Sequence, residues 1–325
     1  MKRWLKVTLG AVALLVVGGA TYTVYVYHSF KTAANAMYHP RSIVQPGAVS
    51  TLATGGAGRS VGTDTGSSTP NPAAISQFKP FTVLVLGVDR RPHDPGRSDT
   101  MIVLSVNPAN GSMLMFNIPR DTRTELVGRG REDKINHAFA FGGVDMSIRT
   151  VEHFLNHPID YYVQMNMEGF AKMVDLVGGV EVYNPLDFQY EGHHFAQGNL
   201  NLNGTEALAY ARMRFDDPRG DLGRNARQRE LLKQILAQSI SKEGLLRVKP
   251  ILEAAGEQIR TDISFDDMKT FLTRIGPSLE QTDTVEIKGH GSKINGVYYY
   301  IVDEQERQRI HGVLEKHLLT TPASP

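Results

Sequence analysis

Short apolar runs alternate with longer amphipathic segments along most of the chain after residue 80. The runs at Thr82–Gly87 (TVLVLG), Met101–Val106 (MIVLSV) and Met113–Ile118 (MLMFNI) predict buried strands. Asn110-Gly111, between the second and third runs, is a hairpin turn signal. The folded region therefore begins near Phe81 with three predicted strands, two of them joined by a hairpin.

Helical patterns and further strands follow these three runs. Helices are predicted around 133–141, 144–156, 168–177 and 222–241, after Ser264 and from Asp303, with strands at Tyr161–Met165, Thr284–Lys288 and Val297–Val302. Because strands and helices interleave without a repeat, we predict an α/β fold. It would be a single domain over residues 80–320, with a central mixed β-sheet covered by helices on both faces.

The run from Leu5 to Tyr27 is almost uncharged, with Lys6 its only interruption. As a helix it would be roughly 34 Å long, against a bilayer core of about 30 Å. Cations precede the run and tyrosines cluster at its far end, which places the N-terminus in the cytoplasm. The alternative is a cleaved signal peptide, but the run is longer than a typical apolar region of such a peptide, and no clean cleavage site follows. Residues 1–29 are thus predicted to be a cytoplasmic tip and a transmembrane signal anchor.

Residues 30–79 are predicted to form a flexible tether. The stretch from Pro46 to Gln77 consists mainly of Gly, Ser, Thr, Ala and Pro, with Arg59 and Asp64 its only charges. A flexible chain of about thirty residues reaches roughly 30 Å. The protein would therefore be a single-pass membrane protein whose C-terminal domain lies outside the cell, close to the membrane surface.

Composition excludes several classes of function. The 35 Lys and Arg residues almost balance the 34 Asp and Glu residues, so the chain lacks the overall positive charge of a nucleic-acid-binding protein. The chain contains no cysteine. Disulfide frameworks, thiol nucleophiles, thiolate zinc sites and iron–sulfur clusters are all excluded.

Two carboxylates flank the first predicted strands. Asp89 follows the first strand and Asp99 precedes the second, so both could meet at one point beside the sheet. Hard oxygen ligands in this arrangement suit Mg²⁺, which uses one or two carboxylates together with substrate phosphates. The alternative is that both acids cap turns and pair with Arg90, Arg91 or Arg97.

Arginine is concentrated between residues 212 and 229, where six of eighteen residues are Arg. An extended segment would place Arg212 and Arg214 on one side, and the next helix would carry Arg224, Arg227 and Gln228 on one face, with Asp221 as its cap. A helix N-terminus lined with guanidiniums favours phosphate oxygens, which predicts a phosphate or pyrophosphate site. The alternative is a solvated basic face.

Six motifs in order carry a family resemblance. They are GVDRR, GRSDT, NIPRDT, KINHAFAFGG, DLVGGVEV and LNGTEALAYARMRFDDPRGDLGRNARQRELL, spanning about Phe81 to Ile235. The sequence thereby resembles the LytR-CpsA-Psr proteins of Gram-positive bacteria, which are extracytoplasmic phosphotransferases anchored by one N-terminal helix. From residue 241 onward the resemblance is only general.

The resemblance implies roles for particular residues. Asp89 and Asp99 would bind Mg²⁺, with Mn²⁺ as an alternative, and either could be the general base. The side chains implied to contact the pyrophosphate are Arg120, Arg212, Arg214, Arg224 and Gln228. Asp221 would orient these arginines. Residues of less defined role in the pocket are Arg91, Arg97, Lys134 and Arg227. From the residues alone, Arg120 could equally form a surface salt bridge, and Lys134 is a weak signal.

The resemblance also implies a substrate and partners. The donor would be a polyprenyl-pyrophosphate-linked glycopolymer, such as teichoic acid or capsule. The polymer and one phosphate would pass to a peptidoglycan hydroxyl, releasing polyprenyl phosphate at the cytoplasmic membrane. Nucleic acid is not expected as a partner, because the arginines lie outside the cell and no recognition helix is visible. Two alternatives remain open: a polyprenyl-pyrophosphate hydrolase, and a non-catalytic carrier-binding or regulatory protein of the transcriptional attenuator type.

Overall fold

The computed structural model describes residues 21, 25, 27–29, 31–41, 70–89, 96–240 and 258–319. Its strands are β1 (Phe81–Asp89), β2 (Arg97–Asn107), β3 (Ser112–Asn117), β4 (Arg123–Leu126), β5 (Arg131–Lys134), β6 (Tyr161–Asn166), β7 (Val180–Asn184), β8 (Phe188–Tyr190), β9 (His193–Phe195), β10 (Gly198–Leu202), β11 (Ile259–Thr261), β12 (Gln281–Glu286), β13 (His290–Ile294) and β14 (Val297–Ile301). The longer helices are α1 (His137–Leu155), α2 (Met167–Val177), α3 (Gly204–Arg212), α4 (Asp221–Ile240), α5 (Phe265–Thr270) and α6 (Glu304–Leu319). Residues 31–37 are also helical.

The central sheet has six strands in the order β11-β6-β1-β2-β3-β12. It is mixed, because β1 pairs antiparallel to β2 and parallel to β6, while β12 pairs parallel to β3. The antiparallel β2–β3 pair is the hairpin that Asn110-Gly111 predicted. The mixed α/β fold predicted from the sequence is confirmed.

Alternate residues of β1 point into two separate cores, as the two-residue period of a strand requires. One face packs against α1 and α6 through Leu84, Leu86, Val88, Val151, Phe154, Ile310 and Leu314. The other face packs against α4 and the π-helical turn after α5 through Val83, Val85, Leu232, Leu236 and Ile275. Each fully buried side chain of this kind contributes about 1.5–3 kcal/mol. Helices therefore cover both faces of the sheet.

A third core supports the arginine-rich segment. It is formed by α2, β7 to β10, α3 and α4, with Phe188, Phe195 and Tyr210 at its centre. The rings of Phe188 and Phe195 lie 4.9 Å apart, and those of Phe188 and Tyr210 lie 5.9 Å apart. The strands β7 to β10 and the helix α3 were not predicted.

The helical patterns predicted at 133–141 and 144–156 form one helix, α1, interrupted where Gly142 and Gly143 have non-helical backbone angles. The break is as predicted, but the predicted start is wrong. Residues Arg131–Lys134 pair with Arg123–Leu126 in a hairpin, so the helix begins only at His137.

The extended segment predicted around Arg212 is also wrong, because Arg212 is the last residue of α3. The Asn203 side chain accepts a hydrogen bond from the Glu206 amide, and the Glu206 carboxylate accepts one from the Asn203 amide at 2.9 Å. This reciprocal capping box starts the helix α3, which the prediction of an extended segment overlooked.

Both flanks of the predicted tether contact the folded domain. Met37 is buried, and Tyr38 forms a parallel bridge with Thr261 of β11. Arg41 forms an ion pair with Asp262 at 2.6 Å and donates to the carbonyls of residues 159 and 160. On the other side, the amide of Asn71 donates to the Asp160 carboxylate at 2.6 Å. Residues 31–41 and 70–79 are therefore part of the folded domain, whereas the sequence predicted a flexible tether over the whole of residues 30–79.

No helix within the described ranges is long and apolar enough to cross a membrane. The predicted anchor lies almost entirely outside those ranges.

Candidate active site

A β-bulge presents Asp99 beside the end of β1. Gly87 pairs with Thr100 and Val88 pairs with Ser98, which leaves Asp99 as the extra residue of β2. A bulge of this kind re-aims a side chain. A Cβ on Gly87 would lie only 2.9 Å from the Thr100 Cβ, so the approach of the two strands here requires glycine. Asp89 ends β1 opposite Arg97, and both acids are partly exposed.

Arg120 and Asn136 both bind Asp99. The Arg120 Nη1 donates to Asp99 Oδ1 at 2.9 Å, and the Asn136 Nδ2 donates to the same oxygen at 3.3 Å. Burial would lower the pKa of Arg120, but the carboxylates of Asp99, Asp221 and Asp121 together raise it. Arg120 is thus held as a cation among three acids.

Lys134 joins the same group through Asp121. Its Nζ lies 2.6 Å from Asp121 Oδ1, and Asp121 Oδ2 lies 3.9 Å from the Arg120 Nε. Lys134 at the end of β5 and Asn136 just before α1 therefore both lie near Arg120 and Asp121, where the chain leaves β3. The sequence predicted Lys134 at the site but missed Asp121 and Asn136.

Arg224 lies in the first turn of α4 and is 7% exposed. Its Nη2 lies 2.6 Å from Asp221 Oδ1. Burial lowers the pKa of Arg224; Asp221 and Asp99 oppose this effect, while Arg120 and Arg214 add to it. Arg120, Arg214 and Arg224 are therefore close enough to interact electrostatically around two carboxylates.

Several polar atoms in this cluster are buried without a hydrogen-bond partner among the described residues. They are Arg120 Nε, Asn136 Oδ1, Asp221 Oδ1, Arg224 Nε, Arg224 Nη2 and Gln228 Oε1. Of these atoms, Arg224 Nη2 and Asp221 Oδ1 lie 2.6 Å apart and form an ion pair with each other, so the donors that remain unused are Arg120 Nε and Arg224 Nε. Leaving such a group unpaired costs about 1–3 kcal/mol, and more when it is charged. We call this set, with Asp99 and Asp121, the cradle; its unused donors suit an anionic ligand.

Other predicted site residues have different surroundings. Arg212 is paired with Glu191 at 3.4 Å, at the exposed turn between β8 and β9. Arg227 is buried and donates to Asp217 and to the carbonyls of Tyr210 and Met213, so its contacts are structural rather than pocket-lining. Arg91 lies outside the described residues.

Asp89 and Asp99 are suitable ligands for Mg²⁺ on chemical grounds. Within the described ranges there is no group of three or more His, Cys, Asp or Glu residues arranged to hold a metal. Mg²⁺ does not require one, since it is commonly held by one or two carboxylates, phosphates and water. The hydrogen bonds that Arg120 and Asn136 donate to Asp99 both end on Oδ1, so neither of these two described residues occupies Oδ2.

Comparison with known proteins identifies the family. The model of the LytR_cpsA_psr family matches residues 50–316. The chain belongs to this family. The LytR-CpsA-Psr match continues well past Ile235, where the motif resemblance ended, and so includes the C-terminal hairpin β13–β14.

Individual LytR-CpsA-Psr proteins are similar over most of their length. The chain is 43% identical over 312 residues to the polyisoprenyl-teichoic acid–peptidoglycan teichoic acid transferase TagU of Halalkalibacterium halodurans, covering 95% of each chain. The crystal structure of B. subtilis TagU is 39% identical, with a TM-score of 0.61 over 76% of this chain and 100% of that one. The structure of TagT bound to LI-WTA is 30% identical, with a TM-score of 0.65 over 77% of this chain and 93% of that one.

Proposed function

We propose that the protein transfers a teichoic acid from a polyisoprenyl pyrophosphate carrier to peptidoglycan. The TagU of Halalkalibacterium halodurans is named as a polyisoprenyl-teichoic acid–peptidoglycan teichoic acid transferase, and the similarity to it covers 95% of both chains. The cradle supplies what the reaction needs, which is two fixed cations, Arg120 and Arg224, beside the carboxylates of Asp99, Asp121 and Asp221.

The observation that carries this proposal is that Arg120 Nε and Arg224 Nε, both buried donors, have no hydrogen-bond partner among the described residues. Guanidinium groups bind phosphate oxygens in a planar, two-pronged manner. A pyrophosphate has several non-bridging oxygens and could satisfy donors of Arg120 and Arg224 together. Because the structure already holds these donors in place, little reorganisation is needed as charge develops during the reaction.

The reaction balances without an external energy source. A peptidoglycan hydroxyl attacks the phosphorus next to the glycan, the bond from that phosphorus to the bridging oxygen breaks, and polyisoprenyl phosphate leaves. Arg120 and Arg224 stabilise the negative charge that develops on the phosphate oxygens. Asp89 or Asp99 accepts the hydroxyl proton.

In this proposal Asp89 and Asp99 hold one Mg²⁺, for which Mn²⁺ could substitute. The bound ion would supply further positive charge against the pyrophosphate oxygens. Arg120 and Asn136 fix the orientation of Asp99 for this task through their hydrogen bonds to Oδ1.

The same proposal places the protein in the cytoplasmic membrane, with residues 1–29 as a single-pass anchor and the domain outside. Both ends of the Gly- and Ser-rich segment meet at Asp160, through Arg41 on one side and Asn71 on the other. The connection to the anchor therefore runs through the docked residues 31–41. Replacing residues 43–69 with a short Gly-Ser linker should leave transfer unchanged in vesicles. A loss of transfer would instead indicate that these residues connect the anchor to the domain as a tether whose length matters.

The test of the function uses the full chain in vesicles with Mg²⁺, a polyisoprenyl-pyrophosphate-linked glycan and a peptidoglycan oligosaccharide. Transfer releases polyisoprenyl phosphate and creates a sugar–phosphate–sugar linkage, both detectable by mass spectrometry. Asp99→Asn should abolish turnover. Release of free glycan phosphate by the unchanged protein would instead indicate a hydrolase, and binding without turnover would indicate a carrier-binding or regulatory protein.

A further inference from the structure

The C-terminal hairpin β13–β14 places an aromatic ring at the edge of the cradle. The amide of Tyr300 donates to the Asp121 carbonyl at 2.8 Å, and Tyr300 forms a parallel bridge with Thr122. Tyr298 lies two residues earlier on β14 and so projects from the same face of the hairpin. A segment nearly two hundred residues from Asp99 in sequence thus reaches the candidate active site.

The side chains around Tyr298 belong to the cradle or lie beside it. The Lys134 Nζ is 5.9 Å from the centre of the ring. Burial raises the pKa of Tyr298, the carboxylates of Asp121 and Asp221 raise it further, and Arg214 opposes them. The ring therefore lies beside Lys134, which pairs with Asp121, and within electrostatic range of Asp221 and Arg214.

Gly291 on β13 fixes the position of the ring. A Cβ at this glycine would lie 2.7 Å from the Tyr298 Cε2 and 2.9 Å from its Oη. The ring is therefore packed against the backbone of Gly291, and any larger residue there would displace it. Tyr298 nevertheless remains 45% exposed, whereas Tyr300 is buried and donates its hydroxyl hydrogen to the Ile287 carbonyl at 3.1 Å.

We propose that Tyr298 binds the sugar attached to the donor pyrophosphate. This inference rests on the proposed function and names the part of the substrate that the C-terminal hairpin recognises. A sugar joined to a phosphate in the cradle must lie within a few ångströms of it, where an aromatic face can contact its apolar face and the phenol can bind its hydroxyls. Tyr300 has no comparable role, because its ring and hydroxyl are used within the fold.

The experiment compares two ligands on the full chain in detergent, a glycan-linked polyisoprenyl pyrophosphate and the same pyrophosphate without sugar. Tyr298→Ala should weaken binding of the glycan-linked ligand by about tenfold, as expected for the loss of one aromatic contact. Binding of the sugar-free ligand should be unchanged. Tyr298→Phe separates stacking from hydrogen bonding, and Gly291→Ala displaces the ring without removing it.

Tyr299→Ala is the matched control, because Tyr299 is the next residue on β14 and lies on the opposite face. It should bind both ligands as the unchanged protein does. An equal loss for both ligands in Tyr298→Ala would overturn the proposal, since the ring would then act on the phosphate groups through Lys134. No loss for either ligand would also overturn it. Failure of the unchanged protein to bind either ligand would instead contradict the proposed function.

Discussion

Arg224 and Arg227 lie one turn apart on α4, and they are 7% and 6% exposed. The Arg227 guanidinium is satisfied within the fold, because it donates to Asp217 and to the carbonyls of Tyr210 and Met213. It also lies 5.6 Å from the centre of the Tyr210 ring. Arg224 has an ion pair with Asp221, but its Nε and Nη2 have no hydrogen-bond partner among the described residues.

The difference separates a structural arginine from a ligand-binding one. A buried cation with every donor paired stabilises the geometry around it, and here Arg227 ties α3 to α4 through the residues between them. A buried cation with unused donors weakens the fold unless a ligand binds it. The contrast predicts that substitutions at the two positions will change different properties.

The largest effect on stability is expected for Arg227→Ala. It would leave the buried Asp217 carboxylate, 4% exposed, without its cation. Breaking such a pair typically costs about 3–5 kcal/mol. Chemical denaturation of the full chain in detergent should show this loss. A stability change below about 1 kcal/mol, the range of exposed ion pairs, would show that Arg227 is not the structural member of the two.

The next effect is expected for Arg224→Ala, on turnover rather than on stability. Removing one preorganised group that stabilises transition-state charge costs about 10²–10³-fold in turnover. Stability should stay the same or rise, because burial lowers the pKa of Arg224 and so disfavours its charge. The transfer assay and the denaturation measurement on one sample check both statements. Full activity in this variant would remove Arg224 from the site.

The sequence predicted the strands of the sheet where hydrophobic runs were short and flanked by turn residues, as in β1, β2 and β3. It missed β7 to β10 and α3, because these elements are short and stabilise one another in a separate core. Their local patterns are weak, and only the capping box at Asn203 and Glu206 marked α3 in advance. Long-range packing determined the rest.

The candidate site was predictable where neighbouring residues interact, as for Asp221 and Arg224, which are three residues apart. The different roles of Arg224 and Arg227 were not predictable from the sequence. The partners of Arg227 lie up to 17 residues earlier in the chain and contact it only after α3 and α4 pack together. The sequence predicted the strand that carries Tyr298, but it gave no signal for a role of this side chain, because the hairpin contains no charged motif of its own.

The smallest effect is expected for Arg219→Ala, which completes the series within the arginine-rich segment. Arg219 pairs with Glu286, and the two side chains are 51% and 40% exposed. Exposed ion pairs contribute about 0–1 kcal/mol, and Glu286 keeps a second cation in Arg229, whose Nη2 lies 3.3 Å from it. Transfer activity and denaturation midpoint should therefore remain close to those of the unchanged protein. A hundredfold loss of transfer would mean that Arg219 belongs with Arg224 in the cradle, and that pairing with residues of the fold does not separate structural from ligand-binding arginines in this segment.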